Sequence, residues 1–507
     1  MMTEGDFAAG EVDAPIEWLE SLSRAGRCAY IEPGLWIAME HAEDYRLAAE
    51  GDADVRRAIA RRCLRFRGPQ DAASLRDRYG WDEAACEAAL GSLRDAGEAV
   101  EYGGLTCHAE VYARARRETV LARRRAVETL PPERYAALLA RELRRPGRPA
   151  DRLREAVALL ADRPFPLRQW EEQILPARVD GYRPAMLDAL IARGEYFWQV
   201  EGGALAFHRS EDIDWDAPPL AEGDDGDTDD EARAVLAALA RRGASFAASL
   251  SGLARRRPVI EILLELAEKG LVRADSFVPL RAMGALDEGH ALSPRRLARL
   301  RAAAAQAGRW ELTRPLVRRD DEALLRMDMA ERRLLCRETA ARLPWARALE
   351  TLRIWEYTGK ARRGYFVAGL SGIQFALDED YAAVNAGLNA ADGDALWLQA
   401  NDPAQAWGRL LPHGEGRAFT CVPGTAVCLR DGRPIAVLEQ GGRRLRLFEP
   451  AQAEAALTSL ARDFHRGRVF FGKDRLSIKE GADGLDEALS AAGWTKEMLD
   501  WVLWRQV

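Results

Sequence analysis

Five stretches of the chain repeat one order of apolar and polar positions. Each begins with apolar residues at helical spacing, reaches a Gly beside a charged residue, and ends in two short runs of β-forming residues. A helix that ends at a Gly and leads into paired strands predicts one helix–hairpin unit per stretch. The stretches are residues 18–39, 84–108, 184–208, 260–280 and 345–377, of which 260–280 lacks a clear hairpin turn.

Additional helical segments precede three of these stretches. Residues 54–66 and 72–79 have helical periodicity before the second stretch, and residues 153–160 and 167–174 have it before the third. Residues 230–241 precede the fourth stretch in the same way. The order helix, helix, turn, helix, hairpin is that of a winged helix-turn-helix. We therefore expect a tandem array of about five winged-helix modules.

The period changes to two after Asp394. Apolar residues alternate over 395–400, 426–430, 434–439 and 443–448, and Gly-containing turns separate these runs. This pattern predicts a small antiparallel β-barrel. Residues 451–507 are expected to form a helix, a strand pair at 468–471 and 475–479, and two closing helices. The predicted fold class is α+β, mainly helical.

These patterns divide the chain into eight segments. The predicted segments are a partial winged helix at 1–50, a winged helix at 51–117, a helical segment with a winged helix at 118–210, an acidic linker at 211–231, winged helices at 232–312 and 313–390, the β-barrel at 391–450 and a C-terminal α/β segment at 451–507.

Charge is distributed unevenly along the 507 residues. The formal net charge is −7, but residues 211–231 hold eleven Asp and Glu residues and no Lys or Arg. Without these eleven negative charges the rest of the chain carries +4. The segment is therefore predicted to be a solvated linker, with an acidic mimic of a phosphate backbone as the alternative.

Composition restricts the class of protein. The chain is 48% hydrophobic and 30% charged, and its longest apolar runs fall far below the roughly 18 residues of a membrane span. No membrane partner is expected, and the N-terminus lacks a signal pattern, so the predicted location is cytoplasmic. The seven Cys and six His residues form no zinc-type cluster. We expect neither a metal nor a cofactor.

The common catalytic signatures are absent. The Gly-Lys pairs at 359–360 and 472–473 lack the rest of a phosphate-binding loop, so the chain is not expected to be an ATP-driven motor. No dinucleotide-binding, zinc-protease or nucleophile-elbow motif occurs.

Basic clusters in two of the predicted modules suggest nucleic-acid binding. Lys360, Arg362 and Arg363 open the hairpin of the fifth stretch beside Tyr365, and Arg255, Arg256 and Arg257 precede the last helix of the fourth. Winged helices most often bind DNA, with Arg supplying phosphate contacts. Solvated Arg residues and a buried hairpin tyrosine are the structural alternatives.

Several segments resemble the C-terminal, non-ATPase half of bacterial large helicase-related (Lhr-type) proteins. The segments are residues 18–39, QILPARVDGY at 173–182, GRW at 308–310, RGYFVAGLSGIQFAL at 363–377, NDPAQAWGRLLP at 401–412 and residues 423–438. The resemblance implies winged helices with a β-barrel, similar to winged-helix DNA glycosylases. It further implies DNA as partner, single-stranded or damaged, uracil-DNA glycosylase activity, a helicase core as a second partner, and homo-oligomers.

Three residues are candidates for catalysis of base excision. The resemblance implies a catalytic aspartate near the C-terminus, and the last aspartate here is Asp500. Asp402 precedes a Pro and is alternatively a turn-forming residue. Gln374 lies on the fifth hairpin, where it would read a base or orient water, and is alternatively an exposed strand residue.

Two functions remain open. The chain is predicted to be a monofunctional DNA glycosylase that acts on uracil or another damaged base. The alternative is a non-catalytic DNA-binding and oligomerisation module that partners a helicase.

Overall fold

The computed structural model describes residues 2–11, 15–125, 127–223, 228–281, 294–390 and 393–506. The chain divides into two units, Met1–Ala126 and Val127–Val507, which are described separately. No helix within the described ranges is long and apolar enough to cross a lipid bilayer.

The first unit contains three helices followed by a β-hairpin, which is the element order of a winged helix. Asp52, Asp71 and Asp82 each accept hydrogen bonds from backbone N–H groups one turn ahead, so each begins a helix. Gly103 and Gly104, with φ of +61° and +80°, form the tight turn of the wing. The helices are Ala53–Arg67, Ala72–Tyr79 and Glu83–Asp95, and the wing pairs Ala99–Tyr102 with Leu105–His108.

A smaller sheet precedes this winged helix. The strand Leu35–Ala38 lies between Asp6–Ala8 and Cys28–Ile31, and both neighbours pair with it in antiparallel fashion. The helix Ile16–Arg24 contributes Leu19 to a small core with Cys28 and Trp36. Two further helices of this unit are Ala42–Glu50 and Ala109–Arg125.

The second unit begins with a helix that leads into another winged helix. The wing turn is again a pair of glycines, Gly202 and Gly203. The helix Leu167–Gln169 continues through a π-turn at Trp170–Ile174 into Leu175–Arg178. The remaining elements are the helices Pro132–Leu143, Pro149–Leu159 and Pro184–Ala192 and the paired strands Tyr196–Glu201 and Ala204–Arg209.

The repeat at 260–280 forms its strand pair differently from the others. The strand Val272–Ala274 pairs with Arg309–Leu312, which lies beyond the helix Pro294–Gln306, and not with a neighbouring run. This long connection explains why the sequence shows no hairpin turn there. The other elements are the helices Asp230–Arg242, Ala247–Leu250 and Val259–Glu268 and the strand Ser245–Phe246.

The fifth repeat forms a winged helix as predicted. Gly359, with φ of +81°, ends the helix Trp345–Thr358 and leads directly into the wing. The elements are the helices Asp321–Arg332, Trp345–Thr358 and Tyr381–Asn389 and the paired strands Ala361–Gly364 and Gln374–Leu377.

The predicted β-barrel is wrong. Its four strands form an open antiparallel sheet in chain order, and no pairing between the first and the last strand occurs among the described residues. Trp397, Cys428 and Ala436 pack in a core with the helix Ala453–His465, whereas Leu398, Val427 and Val437 on the other face pack in a core with residues of Pro132–Leu143. Because helices cover both faces, the sheet buries its apolar residues without closing. The strands are Leu396–Gln399, Ala426–Arg430, Arg433–Glu439 and Arg444–Leu447.

The last predicted helix is also wrong. Asp500–Trp504 is the central strand of a three-stranded sheet, between Arg475–Ile478 and Thr495–Glu497. The predicted strand at 468–471 is a turn, and the helix Asp486–Ala491 lies between the first two strands in the chain. A short apolar run such as 501–503 has no periodicity that separates helix from strand, and pairing on both sides decides it.

Part of the predicted acidic linker is packed. Ile213 is buried and forms a bridge with Leu316, and the Leu220 N–H donates to the Thr313 carbonyl at 2.9 Å. Asp212 forms an ion pair with Arg319. Residues 212–220 are therefore held against the segment 313–319, while residues 224–227 lie outside the described residues. The segment boundaries, including 211–231, stay predictions.

Candidate nucleic-acid interface

The helix Trp345–Thr358 presents an exposed face that combines apolar, aromatic and basic side chains. Its buried side comprises Ala348, Leu352, Trp355 and Glu356. On the opposite side Ile354 is 61% exposed and Tyr357 52% exposed, with Arg353 beside them. We call Arg353, Ile354 and Tyr357 the exposed face. This helix is the second of its module and directly precedes the wing, and helix-turn-helix modules place their second helix in the DNA groove.

The wing after this helix carries the predicted basic cluster. Lys360 lies 3.2 Å from Glu322, Arg362 lies 2.6 Å from Asp378, and Arg363 lies 3.8 Å from Glu356. Each cation therefore already has a carboxylate neighbour, which a phosphate would have to replace. The Arg362 guanidinium also lies over the ring of Tyr381.

The two aromatic residues of the wing differ in exposure. Tyr365 is 59% exposed, so its ring is available for stacking, whereas the adjacent Phe366 is buried in the core. Lys360, Arg362, Arg363 and Tyr365 stay predicted DNA contacts.

The second predicted basic cluster lies between two helices of the module 230–312. The backbone N–H groups of Arg255 and Arg256 donate to Glu231 Oε1 at 2.8 and 2.9 Å, and both side chains are exposed. The Arg257 guanidinium lies 3.0 Å from Asp229 and 2.6 Å from Glu265. Arg255 and Arg256 are thus open to a partner, while Arg257 holds its own module together.

Asp402 is fully buried and serves structure. Its carboxylate accepts two hydrogen bonds from Arg178, at 2.8 and 2.9 Å, and a third from the Ala404 N–H at 2.8 Å. The last bond is the turn contact expected of an Asp before a Pro. No part of this carboxylate faces solvent.

Gln374 is also fully buried. The sequence predicted a residue that reads a base or orients water, or alternatively an exposed strand residue. Its side-chain oxygen accepts from the Val367 N–H at 2.9 Å, and its nitrogen donates to the Val367 carbonyl at 2.7 Å. The side-chain amide thus provides the two hydrogen bonds that a neighbouring strand would otherwise provide to Val367. Buried main-chain N–H and carbonyl groups need such partners. It does not present a group to a base.

Asp500 is the one accessible side chain among the three candidates. It begins the strand Asp500–Trp504 with its side chain 30% exposed. Its Oδ2 accepts from the Ser477 hydroxyl at 2.9 Å and lies 3.4 Å from Lys479 Nζ. The turn that precedes it exposes Met498 to 97% and Leu499 to 89%, and Met498 has φ of +54°.

Sequence reasoning missed the exposed face. Ile354, Leu352 and Trp355 are all apolar, and the pattern alone does not say which of them lies in the core. The available signal is that Arg353 and Tyr357 are four residues apart, on one side of a helix. Within the described ranges no group of three or more His, Cys, Asp or Glu side chains is arranged to hold a metal ion.

Comparisons with known proteins place these modules in a family. Residues 131–213 and 313–396 match the third and fourth domains of the family described as "Large helicase-related protein, winged-helix domain". The chain is 28% identical to the "Lhr helicase/ probable uracil glycosylase" of Mycolicibacterium smegmatis, over 92% of this chain and 35% of that protein. It is 30% identical to the "Lhr helicase/uracil glycosylase" of Escherichia coli, over 70% of this chain and 27% of that protein.

A solved structure was also found. The Streptomyces sahachiroi DNA glycosylase AlkZ aligns over 70% of this chain and all of its own, with 13% identity and a TM-score of 0.39. The chain spans about a third of the length of its two curated relatives. Residues 131–213 and 313–396 are therefore winged-helix domains of the large helicase-related type, in a chain that corresponds to the C-terminal part of such proteins.

Proposed function

We propose that the chain binds single-stranded or damaged DNA and removes uracil or another damaged base as a monofunctional glycosylase. Two relatives with glycosylase names cover most of the chain, and a DNA-binding, repair-related role agrees with its winged-helix domains. The observation that carries the proposal is the half-buried, accessible carboxylate of Asp500.

The exposed face and the wing supply the DNA contacts. Tyr357 and Tyr365 offer rings on which bases stack, and stacking contributes about 1–3 kcal/mol per base without sequence preference. Arg353 and the wing cations add contacts to phosphate. Such a surface suits an unpaired strand, because the faces of the bases are then available.

The surroundings of Asp500 suit a charged transition state. Base excision develops positive charge on the sugar, which a nearby ionised carboxylate stabilises while it orients the attacking water. The Ser477 hydroxyl donates to the carboxylate and Lys479 lies 3.4 Å from it, so both would hold the carboxylate in place. The apolar tip formed by Met498 and Leu499 immediately precedes it, and apolar side chains of this kind separate stacked bases.

The first experiment measures excision directly. The purified chain is incubated with uracil-containing and undamaged single-stranded DNA, and abasic sites are cleaved with alkali. Asp500→Asn should reduce excision by about 100-fold or more and leave DNA affinity nearly unchanged.

The matched control is Glu497→Gln. Glu497 pairs with Asp500 across the same hairpin and accepts a hydrogen bond from Trp504 Nε1 at 3.0 Å. Full excision by Asp500→Asn would remove this residue from the mechanism. Equal loss in both variants would point to damage of the hairpin instead.

The alternative function is a non-catalytic DNA-binding and oligomerisation module that partners a helicase core. The burial of Asp402 and Gln374 favours this alternative, because Asp500 is then the one catalytic candidate with an accessible side chain. DNA binding without excision by the unmodified chain would support it. Light scattering of the purified chain, alone and with an Lhr-type helicase core, tests the predicted homo-oligomer and the helicase partner.

A further inference from the structure

A cavity of about 330 Å³ lies between the two matched winged-helix domains. The helices Pro132–Leu143 and Pro149–Leu159 line one side, and the end of Asp321–Arg332 lines the other. Pro403 and Ala404, which follow the buried Asp402, close the floor. The volume is near the lower end of small-molecule sites, about 300–1,000 Å³.

The charged part of the lining is strongly basic. It contains six arginines and three glutamates, so its formal charge is positive. Arg152, Arg178 and Arg332 are the most buried, with side chains 10%, 4% and 7% exposed. Asp402 neutralises Arg178 from behind, so the excess charge rests on the others.

Two of these guanidiniums have unused donors. Arg332 donates to the Pro403 carbonyl and lies 2.9 Å from Glu331, and Arg152 donates to the Glu142 carbonyl at 3.2 Å and to Glu155 at 2.5 Å. The Nε atoms of both residues are nevertheless buried without a hydrogen-bond partner. A buried donor left unpaired is costly, and the charge of an anion held by the same guanidinium would offset part of that cost, although the Nε atoms themselves have no exposed surface.

Arg333 occupies a conformation that favours glycine. It follows the helix Asp321–Arg332 with φ of +62°, the position where Gly commonly ends a helix. Its guanidinium lies 2.9 Å from Glu142, which also pairs with Arg145 at 3.2 Å. A strained residue at a cavity points to a role for its side chain beyond folding.

The rest of the lining is largely apolar. It includes Leu139, Leu143 and Leu159 from the two helices, Leu160 directly after them, and Ala330. One ligand that needs both basic and apolar side chains is a nucleotide, since its base packs against apolar side chains and its phosphate pairs with guanidinium groups.

We propose that this cavity binds a nucleoside monophosphate, with the phosphate on Arg152, Arg332 and Arg333 and the base against the leucines. The nucleotide is either free or the 5′-terminal residue of a DNA strand. Binding here does not depend on glycosylase activity at Asp500, because Asp500 does not line the cavity.

The test is calorimetric titration of the full chain with dUMP, inorganic phosphate and deoxyuridine. We expect dUMP to bind at least ten times more tightly than either fragment. Absence of dUMP binding at millimolar concentration, or phosphate binding as tight as that of dUMP, would overturn the proposal.

Arg333→Gly separates binding from folding. Gly adopts a positive φ without a side-chain clash, so the Tm should stay equal or rise while dUMP affinity falls at least tenfold. Arg148→Ala is the matched control, because this arginine is 87% exposed, adjoins Pro149–Leu159 and does not line the cavity. Unchanged dUMP affinity in Arg333→Gly, or an equal loss in Arg148→Ala, would place the nucleotide elsewhere.

Competition then identifies the source of the nucleotide. An undamaged oligonucleotide with a 5′-phosphate should displace dUMP, and the same oligonucleotide with a 5′-hydroxyl should not, if DNA ends are bound. Displacement by neither supports a free nucleotide. Because these strands contain no lesion, the result is independent of whether the chain excises uracil.

Discussion

Two helices of this chain that each directly precede a paired strand differ in how much of their surface is covered. We call Val259–Glu268 the buried helix and Trp345–Thr358 the exposed helix. The buried helix has seven of its ten residues in the core, whereas the exposed helix has four of fourteen. A helix at the same place before the strands is therefore mostly part of the core in the first case and mostly part of the surface in the second.

The residues outside the core explain the difference further. The buried helix has Glu261, Glu265 and Glu268 at its remaining positions, and a carboxylate row repels phosphate. The exposed helix instead presents Arg353 and Tyr357. A winged-helix topology therefore does not by itself identify a DNA-binding helix; the side chains on its outer face decide.

The largest expected effect is on stability. Leu263→Ala in the buried helix should lower the free energy of unfolding by about 2–5 kcal/mol, because Leu263 is fully buried. Ile354→Ala in the exposed helix should change it by no more than about 0.5 kcal/mol. Thermal unfolding of both variants measures the difference in stability, and equal shifts in Tm would contradict this prediction.

The next effect is on DNA affinity. Tyr357→Ala should weaken binding of single-stranded DNA by roughly 5- to 150-fold, which corresponds to one stacked base at about 1–3 kcal/mol. Glu268→Gln in the buried helix serves as the control and should leave affinity unchanged. Fluorescence anisotropy measures both, and a normal affinity in Tyr357→Ala would show that this face does not meet DNA.

A smaller effect concerns salt dependence. Replacing Lys360, Arg362 and Arg363 by Ala should reduce the slope of log affinity against log salt by about 0.7 for each phosphate of a single strand that these side chains neutralise. The Arg255→Ala/Arg256→Ala pair, beside the buried helix, provides the comparison. A reduced slope in the Arg255→Ala/Arg256→Ala variant as well would show that both modules bind DNA. The carboxylates of the buried helix would then not prevent DNA binding by its module.

The smallest effect is on acid stability. Burial raises the pKa of Glu265, but its hydrogen bonds and charge interactions with Arg257 and Lys269 outweigh burial and hold the pKa below its ordinary value. A carboxyl whose pKa is depressed by folding stabilises the protein above its unfolded pKa, and this contribution is lost as pH falls through the folded pKa. The group is a third exposed, so we expect a contribution of about 0.5 kcal/mol or less.

The measurement for this prediction is the Tm at pH 6 and at stepwise lower pH. Glu265→Gln should show a slightly shallower fall between about pH 5 and 3 than the unmodified chain. Glu261→Gln, on the same helix, is the control. Parallel curves for all three proteins would mean that the ion pair between Arg257 and Glu265 does not contribute to stability.

Local chemistry made much of the fold predictable. Asp52, Asp71 and Asp82 are helix caps, and Gly103-Gly104 and Gly202-Gly203 are wing turns, because these residues act on neighbours a few positions away. The prediction of a barrel was wrong because closure of a sheet depends on residues far away in the chain. Alternation along residues 395–448 shows that strands form, but whether they close depends on the helices that cover both faces.

The candidate site depends even more on distant partners. Asp402 meets Arg178 across 224 residues, and only this pairing turns a turn aspartate into a buried structural ion pair. Asp500 lies in a strand because Arg475–Ile478 and Thr495–Glu497 flank it. Arg178 and the strand Arg475–Ile478 lie far along the chain from the residues they determine, so periodicity does not reveal these pairings.

The sequence by itself determined most of the helices, their caps, the wing turns and the family resemblance, since each depends on residues close together in the chain or on short matching segments. Tertiary structure decided which helix faces are covered. Ile260 is buried and Ile354 exposed, although both are isoleucines in a helix that directly precedes a paired strand. The physical reason is that burial is a property of the surface packed against a residue, and that surface comes from elsewhere in the chain.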